Sequence, residues 1–324
     1  VTAALQPQVV DRAFRAMGCD LRIAVVPRQG EEAAASVERA IAFVHAADRA
    51  LTRFDAASEL QRLNASGSER IAISGLMALA VEHAVRAAQR TDGLLDPTLA
   101  AEVVEAGYAD DWDPARRVAL RELLAAAPTR HAARPHPAAR WREITVDRHR
   151  HELVRPAGIQ LDLAATAKGL VADLALRLIG PADLVIVDLA GDLAIGGDRL
   201  QHAPQPIIAA DPFDRTSLHL LLTAPGGVAT SSIAGRCWLD RGRPAHHLLD
   251  PATGRPAFTG LVQVTAAAPS AAEAEVLAGH ALLAGPSAAH TLLARHGGVL
   301  VHDDGTTSVL VGDHLHQGDP DDRS

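Results

Sequence analysis

Cysteine is nearly missing from this chain: Cys19 and Cys237 are the only two among 324 residues. That is too few for a disulfide framework or a zinc cluster, and two separate reduced thiols are the expected state. Long apolar runs are missing as well, since no stretch approaches the roughly 18–20 residues a membrane-spanning helix needs. Basic residues are outnumbered, 31 Lys and Arg against 39 Asp and Glu, so the electrostatic footprint of a nucleic-acid binder is absent. Generic catalytic signatures are lacking too. Gly191–Gly197 (GDLAIGG) does not have dinucleotide-binding G-x-G-x-x-G spacing, no Walker A sequence occurs, and Thr230-Ser231-Ser232 is not a G-x-S-x-G elbow. The start, VTAALQPQVVDRAFRAMG, lacks the basic, apolar and cleavage regions of a secretory signal. Read as a literal GTG start, Val1 places the chain in the cytoplasm; a trimmed N-terminus would make it an exported protein.

What remains is a chain with apolar residues near one half of its length, long enough to bury a sizeable core in one domain or two packed lobes. Phe14–Val26 alternates like a strand. Glu31–Arg53 and Ser74–Arg90 carry apolar residues at helical spacing, the second starting from Ser74, and a loop from Thr52 leads into a short helix ending near Asn64. Thr91–Thr98 (TDGLLDPT) reads as a turn-rich loop, and Pro128–Arg140 as a surface connector. Strands are expected at Leu184–Leu189, Ile207–Asp211, Leu218–Thr223 and Leu261–Ala267. Gly191–Gly197 reads as a turn cluster, Gly227–Ser232 and His246–Pro256 as loops. Ala271–Leu283 reads as a helix, followed by another from Ser287. Gly298–His302 and Ser308–Val311 flank an Asp304-Gly305 hairpin turn. Strands in runs, as well as alternating with helices, favour an α+β fold over a doubly wound parallel sheet.

The most telling stretch is Leu161–Asp173, LDLAATAKGLVAD. A buried-type run ends in Asp162, small residues follow, and one lysine, Lys168, precedes Gly169. Small residues permit close approach of a ligand or backbone, and a lone Lys there can meet a phosphate or a carboxylate. This segment resembles the central DLGGIAKGYAVD motif of the ApbE family of flavin transferases. Further likenesses follow in family order. Phe14–Ile23 (FRAMGCDLRI), Phe54–Asn64 (FDAASELQRLN) and Thr91–Thr98 come before the motif. Asp188–Gly197 (DLAGDLAIGG), Ala229–Ser232 (ATSS), His247–Pro256 (HLLDPATGRP) and Val264–Leu283 come after it.

The resemblance implies an ApbE-like, T-fold-related architecture with mixed or antiparallel sheets, packed helices and an FAD site between lobes. Residues 1–316 would form one such domain and residues 317–324 a disordered tail. It implies FAD contacts at Met17, Phe54, Leu94, Leu95, Asp96, Asp162, Lys168 and His247, with Lys168 and His247 nearest the chemistry. It implies a Mg²⁺ site built from the backbone carbonyl of Ala165 and the helix positions Glu275 and Gly279. Residues four apart share a helix face. Here, however, glutamate stands where the family has Asp, and Gly279 where it has Thr, so a weakened metal site is expected. Taken as residues alone, the same positions have plainer readings: Met17 as core, Asp96 as a turn-former, Asp162 as a helix cap, Lys168 as surface, His247 as one of an exposed pair with His246, and Gly279 as helix packing. The implied activity is FAD:protein FMN transfer, Mg²⁺-dependent, to a Thr or Ser hydroxyl of an acceptor flavoprotein with release of AMP. A non-catalytic FAD binder and an FAD pyrophosphatase are the alternatives. The pairs His149/His151 and His314/His316 are read as solvated surface residues.

Overall fold

The computed structural model describes residues 9–213, 217–222 and 224–317. Its spine is one eight-stranded sheet: β1 (Val10–Ala16), β2 (Cys19–Val26), β3 (Leu184–Asp188), β4 (Asp192–Gly196), β5 (Gly226–Ser232), β6 (Leu261–Ala268), β7 (Gly298–His302) and β8 (Thr307–Leu310). The strands lie side by side in chain order, and every neighbouring pair is antiparallel. The expected α+β class with antiparallel sheets and packed helices is therefore the observed one.

Six helices matter to the site: α1 (Ala34–Leu51), α2 (Glu59–Ala65), α3 (Gly75–Arg90), α4 (Ala167–Ile179), α5 (Ala271–Ala284) and α6 (Pro286–Leu293). Helices α3 and α5 start at capping serines. The Ser74 hydroxyl accepts from Met77 N–H at 3.1 Å, and the Ser270 hydroxyl from Glu273 N–H at 3.2 Å, each satisfying a donor with no partner inside its helix. Helix α1 packs on α4, α4 on α5, and α5 on β5 and β6. One apolar cluster joins β1–β4 to α1, α3 and α4; a second joins β5–β7 to α5 and α6 and to the small sheet of Gln205–Ala210, Ser217–Leu222 and Leu315–Gln317. All eight residues of β6 are buried, because both its faces are covered.

Several expectations need correction. Phe14–Val26 is not one strand but the closing half of a hairpin. Met17 (φ 54°) and Gly18 (φ 68°) make its two-residue turn, as the positive angles of a primed hairpin turn require. The Gly191–Gly197 turn cluster is strand β4, and the Gly227–Ser232 loop is strand β5. In β5 the glycines serve close packing: a Cβ on Gly227 would sit 2.3 Å from the backbone of Ala271 at the start of α5. Within His246–Pro256, Leu249–Asp250 pairs with Arg255–Pro256 as a minimal hairpin. Pro128–Arg140 has little regular structure and lies mostly on the surface, as expected, with only Ala133 and Ala139 buried; three backbone N–H groups anchor it. His131 N–H reaches Phe258 O at 3.0 Å, Ala133 N–H reaches Leu283 O at 2.9 Å, and Arg134 N–H reaches Asp250 Oδ1 at 2.9 Å. Gln317 ends a strand; the rest of the expected tail, and Thr223, lie outside the described residues. Both cysteines are free thiols.

Candidate functional site

The central motif begins where Asp162 N–H donates to Pro97 O at 2.9 Å, which ties it to the Thr91–Thr98 loop. That loop is folded around its own side chains. The Thr91 hydroxyl bridges Ala87 O and Leu95 N–H, and Asp96 Oδ1 accepts from the Thr98 N–H and hydroxyl. Asp96 is thus the turn-former its neighbour Pro97 suggests, but its Oδ2 is buried without a partner. Asp162 is not the cap of α4. Its Oδ1 accepts from Ala164 N–H at 2.8 Å and its Oδ2 lies 3.3 Å from Arg53 Nε.

The cap comes instead from a residue 106 positions away. Gly169 N–H, in the first turn of α4, donates to Glu275 Oε2 of α5 at 2.9 Å. The arrangement is reciprocal: Asp173 of α4 accepts from the Ala271 and Ala272 N–H groups that open α5, both at 3.0 Å. Each helix places a carboxylate at the positive end of the other's dipole. The helices meet so closely that a Cβ on Gly169 would lie 2.4 Å from Ala271 O, which only glycine permits.

This crossing sets the floor of a cavity of about 290 Å³. Lys168 forms an ion pair with Asp192, which is 2% exposed, and Glu275 lies beside them at 5%. Burial by itself would lower the Lys168 ammonium, but the charges of Asp192 and Glu275 outweigh it and hold the value above the usual one. Burial, then the Asp192 charge, pushes the Glu275 carboxyl up to about 8, against the opposing pull of Lys168 and two backbone N–H groups. Two buried carboxylates facing one ammonium leave an excess of negative charge, which a proton or a cation can neutralise.

Leu94, Leu95, Asp96, Asp162, Ala165, Lys168, His247, Glu275 and Gly279 all line this one cavity, although they come from four separate segments. Met17 and Phe54 do not line it. Met17 sits in the β1–β2 turn against the first apolar cluster, its N–H donating to Asp48 Oδ2 at 2.9 Å. Phe54 lies behind the wall, stacked on Arg53 and Tyr108. His247 is not an exposed pair with His246: its Nδ1 is buried without a partner, and burial, aided by nearby Arg236, lowers its value to about 3. His246 is fully buried against the edge of Phe258. Asp250 serves the backbone, accepting from Arg134 and Ala252 N–H.

Residues given no role from the sequence complete the site. Asp192 is the partner of Lys168, and its place in the family-like segment Asp188–Gly197 was its one visible signal. Tyr108, Trp238, Trp112 and Phe54 form a continuous aromatic cluster, with ring centroids 5.5–6.2 Å apart around Tyr108, in a chain with few aromatics to place. The Tyr108 hydroxyl, like His247 Nδ1 and Asp96 Oδ2, is buried with no hydrogen-bond partner. Unpaired polar atoms from three segments around one cavity suit a planar ligand with polar edges.

For a cation, the cavity offers the Glu275 carboxylate and the Ala165 carbonyl. Gly279 contributes no oxygen; a Cβ there would meet a Leu95 methyl at 3.1 Å and the Ser231 hydroxyl at 3.7 Å. Among the described residues no group of three or more His, Cys, Asp or Glu could hold a metal ion. His149, His151 and His316 are exposed, as the surface reading has it, but His314 is half-buried, its Nδ1 3.1 Å from that of His296. That sparse donor set fits Mg²⁺, which is commonly held by one or two carboxylates together with waters and phosphate oxygens. A second cavity of about 480 Å³ lies against α3, α4 and α5, but its charged groups are engaged with the protein itself, as in the Arg90–Glu273 pair and the Asp173 cap.

Comparison with known proteins agrees with this picture. Solved ApbE structures share the fold: that from Thermotoga maritima superposes with a TM-score of 0.75 at 23% identity, covering 94% of this chain and 97% of that one. The apo flavinyl transferase ApbE of Pseudomonas stutzeri gives 0.73 at 22%, covering 95% and 96%. The FAD:protein FMN transferase of Treponema pallidum is 29% identical over 306 residues, 89% of this chain and 82% of that protein. Its counterpart in Salmonella typhimurium is 27% identical over 281 residues, 85% and 77%. The family model described as the ApbE family matches residues 17–301. The chain belongs to the ApbE family.

Proposed function

We propose that this protein is an FAD:protein FMN transferase, moving FMN from FAD to a Thr or Ser hydroxyl of an acceptor flavoprotein and releasing AMP, with Mg²⁺ as the required ion. The observation that carries the proposal is the cavity floor, where buried Glu275 and Asp192 outnumber the one ammonium of Lys168. Such a floor suits a cation and, through it, a pyrophosphate. Relatives named for this reaction support the substrate.

Glu275 and the Ala165 carbonyl would hold the ion. When bound, it supplies charge neutralisation at the pyrophosphate and fixes in-line geometry. Lys168, kept protonated by its two carboxylates, adds positive charge where the phosphates lie. Leu94, Leu95 and the Tyr108 wall bury the planar ring, while Asp96 Oδ2, Asp162 and His247 Nδ1 meet its polar edges. His247 is a neutral imidazole in this form, so it acts as a hydrogen-bonding group; an anionic phosphate beside it would raise its proton affinity and bring it nearer to use as a base. The site lies where the two apolar clusters meet, since α5 contributes Ala271 to one and Val276 to the other.

The test is to incubate the protein with FAD, Mg²⁺ and a candidate acceptor domain and to assay AMP and covalent flavin fluorescence. Covalent flavin with AMP is the expected result. FMN with AMP and no covalent flavin would identify a pyrophosphatase. Bound, intact FAD alone would identify a non-catalytic binder, the outcome to which the oxygen missing at Gly279 points. No FAD binding would overturn the site.

A further inference from the structure

Arg53 is a buried cation that none of the chemistry above uses. It leaves α1 on an extended bend, 9% exposed, and its carbonyl accepts from Gln61 Nε2 of α2 at 2.6 Å. Its guanidinium lies against two neighbouring rings, with the central carbon 4.3 Å from the Phe54 centroid and 4.4 Å from that of Tyr108. Nε faces Asp162 Oδ2 at 3.3 Å, while Nη2 is buried with no partner. The Tyr108 hydroxyl next to this stack is also buried and unpaired.

These contacts do two things. Asp162 lines the cavity, and it is held at both oxygens, by the Ala164 N–H on one side and by Arg53 on the other. Tyr108 lines the same cavity, and its ring is clamped from behind by a cation whose attraction grows as water is excluded. The unpaired Arg53 Nη2 and the unpaired Tyr108 hydroxyl each carry a desolvation cost that a hydrogen-bonding ligand would offset. Arg and Lys are not interchangeable in such a stack, although both keep the charge.

We propose that Arg53 is a positioning residue for the ligand: it sets the Asp162 carboxylate and the Tyr108 ring in the cavity wall, and the site binds an aromatic heterocycle whose edge offers a donor to Asp162 and an acceptor to the Tyr108 hydroxyl. The inference rests on the flavin-transferase reading for the identity of that heterocycle, which in FAD is either the flavin or the adenine.

The test measures affinity without turnover. FAD and FMN binding is followed by flavin fluorescence and AMP binding by calorimetry, each with Mg²⁺, for Arg53→Met, Arg53→Lys, Asp162→Asn, the Arg53→Met/Asp162→Asn pair and Tyr108→Phe. Arg53→Met and Asp162→Asn should each weaken FAD at least tenfold, and the double variant should be no weaker than the worse single one within threefold. Arg53→Lys, which keeps the charge but not the planar stack, should recover only part of the loss. Tyr108→Phe should weaken binding threefold or more with an unchanged melting temperature. Loss confined to FMN places the flavin at this wall; loss confined to AMP places the adenine there. Arg53→Met binding FAD within twofold of the parent, or losses that multiply in the double variant, would overturn the proposal. A parent protein that binds none of the three ligands would sink the transferase reading but not this one. A urea double-mutant cycle on Arg53 and Asp162 then decides: coupling with loss of the near-ultraviolet dichroism of the aromatic cluster supports positioning, and additivity refutes it. Should Arg53→Met not fold, Arg53→Lys and Tyr108→Phe carry the same comparison.

Discussion

Replacing Gly169 by alanine probes the contact on which the cavity floor depends. The added Cβ would lie 2.4 Å from Ala271 O, 2.7 Å from Ala271 C and 2.9 Å from Ala272 Cα. Carbon–oxygen contacts settle at about 3.3–3.6 Å, so α4 and α5 would have to part by roughly 1 Å. Backbone atoms cannot rotate aside as the end of a side chain can. Alanine gains about 1 kcal/mol of helix propensity over glycine, while overpacking costs about 1–3 kcal/mol. Parting the helices also stretches the bonds of Glu275 to Gly169 N–H and of Asp173 to the Ala271 and Ala272 N–H groups. Each such charge-assisted bond contributes about 1.5–3 kcal/mol. Losing one gives a net destabilisation of about 1.5–5 kcal/mol. Urea unfolding should show a lower midpoint with an unchanged slope, and FAD affinity in Mg²⁺ should fall because Lys168 and Glu275 move with their helices. Gly67→Ala, where a Cβ meets nothing within 4 Å, is the control and should be near neutral. A Gly169→Ala protein as stable as the parent, with the same FAD affinity, would refute the reasoning.

Three further outcomes follow from the site. Glu275 titrates at about 8 in the fold, above the ordinary carboxylate value of about 4.3. Between those values the native chain holds a proton that the unfolded chain lacks. Its contribution is therefore full below about pH 4 and is lost as pH rises through about 8. Stability of the ligand-free protein should fall from pH 5 to 8 by on the order of 1 kcal/mol per unit from this group. Glu275→Gln should flatten that fall in urea titrations while abolishing Mg²⁺-dependent transfer; an equally steep fall would show the carboxyl is ionised throughout. His246 has the opposite sign. Burial lowers it to about 3, so its contribution is present above about pH 6.5 and is lost as pH falls toward 3, at up to about 1.4 kcal/mol per unit. His246→Gln should make the urea midpoint less acid-sensitive between pH 6 and 4, and an unchanged acid profile would count against a neutral buried imidazole. Gly279→Thr should displace the Leu95 methyl 3.1 Å from the new Cβ, change stability by less than about 1 kcal/mol and tighten the Mg²⁺ requirement; an identical metal titration would place Gly279 away from the ion.

Local pattern and chemistry were readable in the chain itself. The apolar spacing of α1 and α3, the Ser74 start, the strand Leu261–Ala267 and the Asp304-Gly305 hairpin depend on neighbours a few residues away, and each stands where expected. The ordered motifs likewise carried the family and most of the cavity lining. The misread segments share one cause. Glycines in Gly191–Gly197 and Gly227–Ser232 signal turns when read locally, but those of β5 are there because a helix backbone crosses the strand.

The sequence by itself determined the helices, most of the strands, the family and the identity of the motif residues, because these follow from short-range periodicity, capping and motif order. Tertiary structure alone decided what those residues face. It capped α4 with Glu275 rather than Asp162, paired Lys168 with Asp192, set Arg53 behind Tyr108 and Asp162, and kept Met17 and Phe54 out of the cavity lining. Burial, charge and unpaired polar atoms are properties of surroundings assembled from distant segments, and no local pattern encodes them.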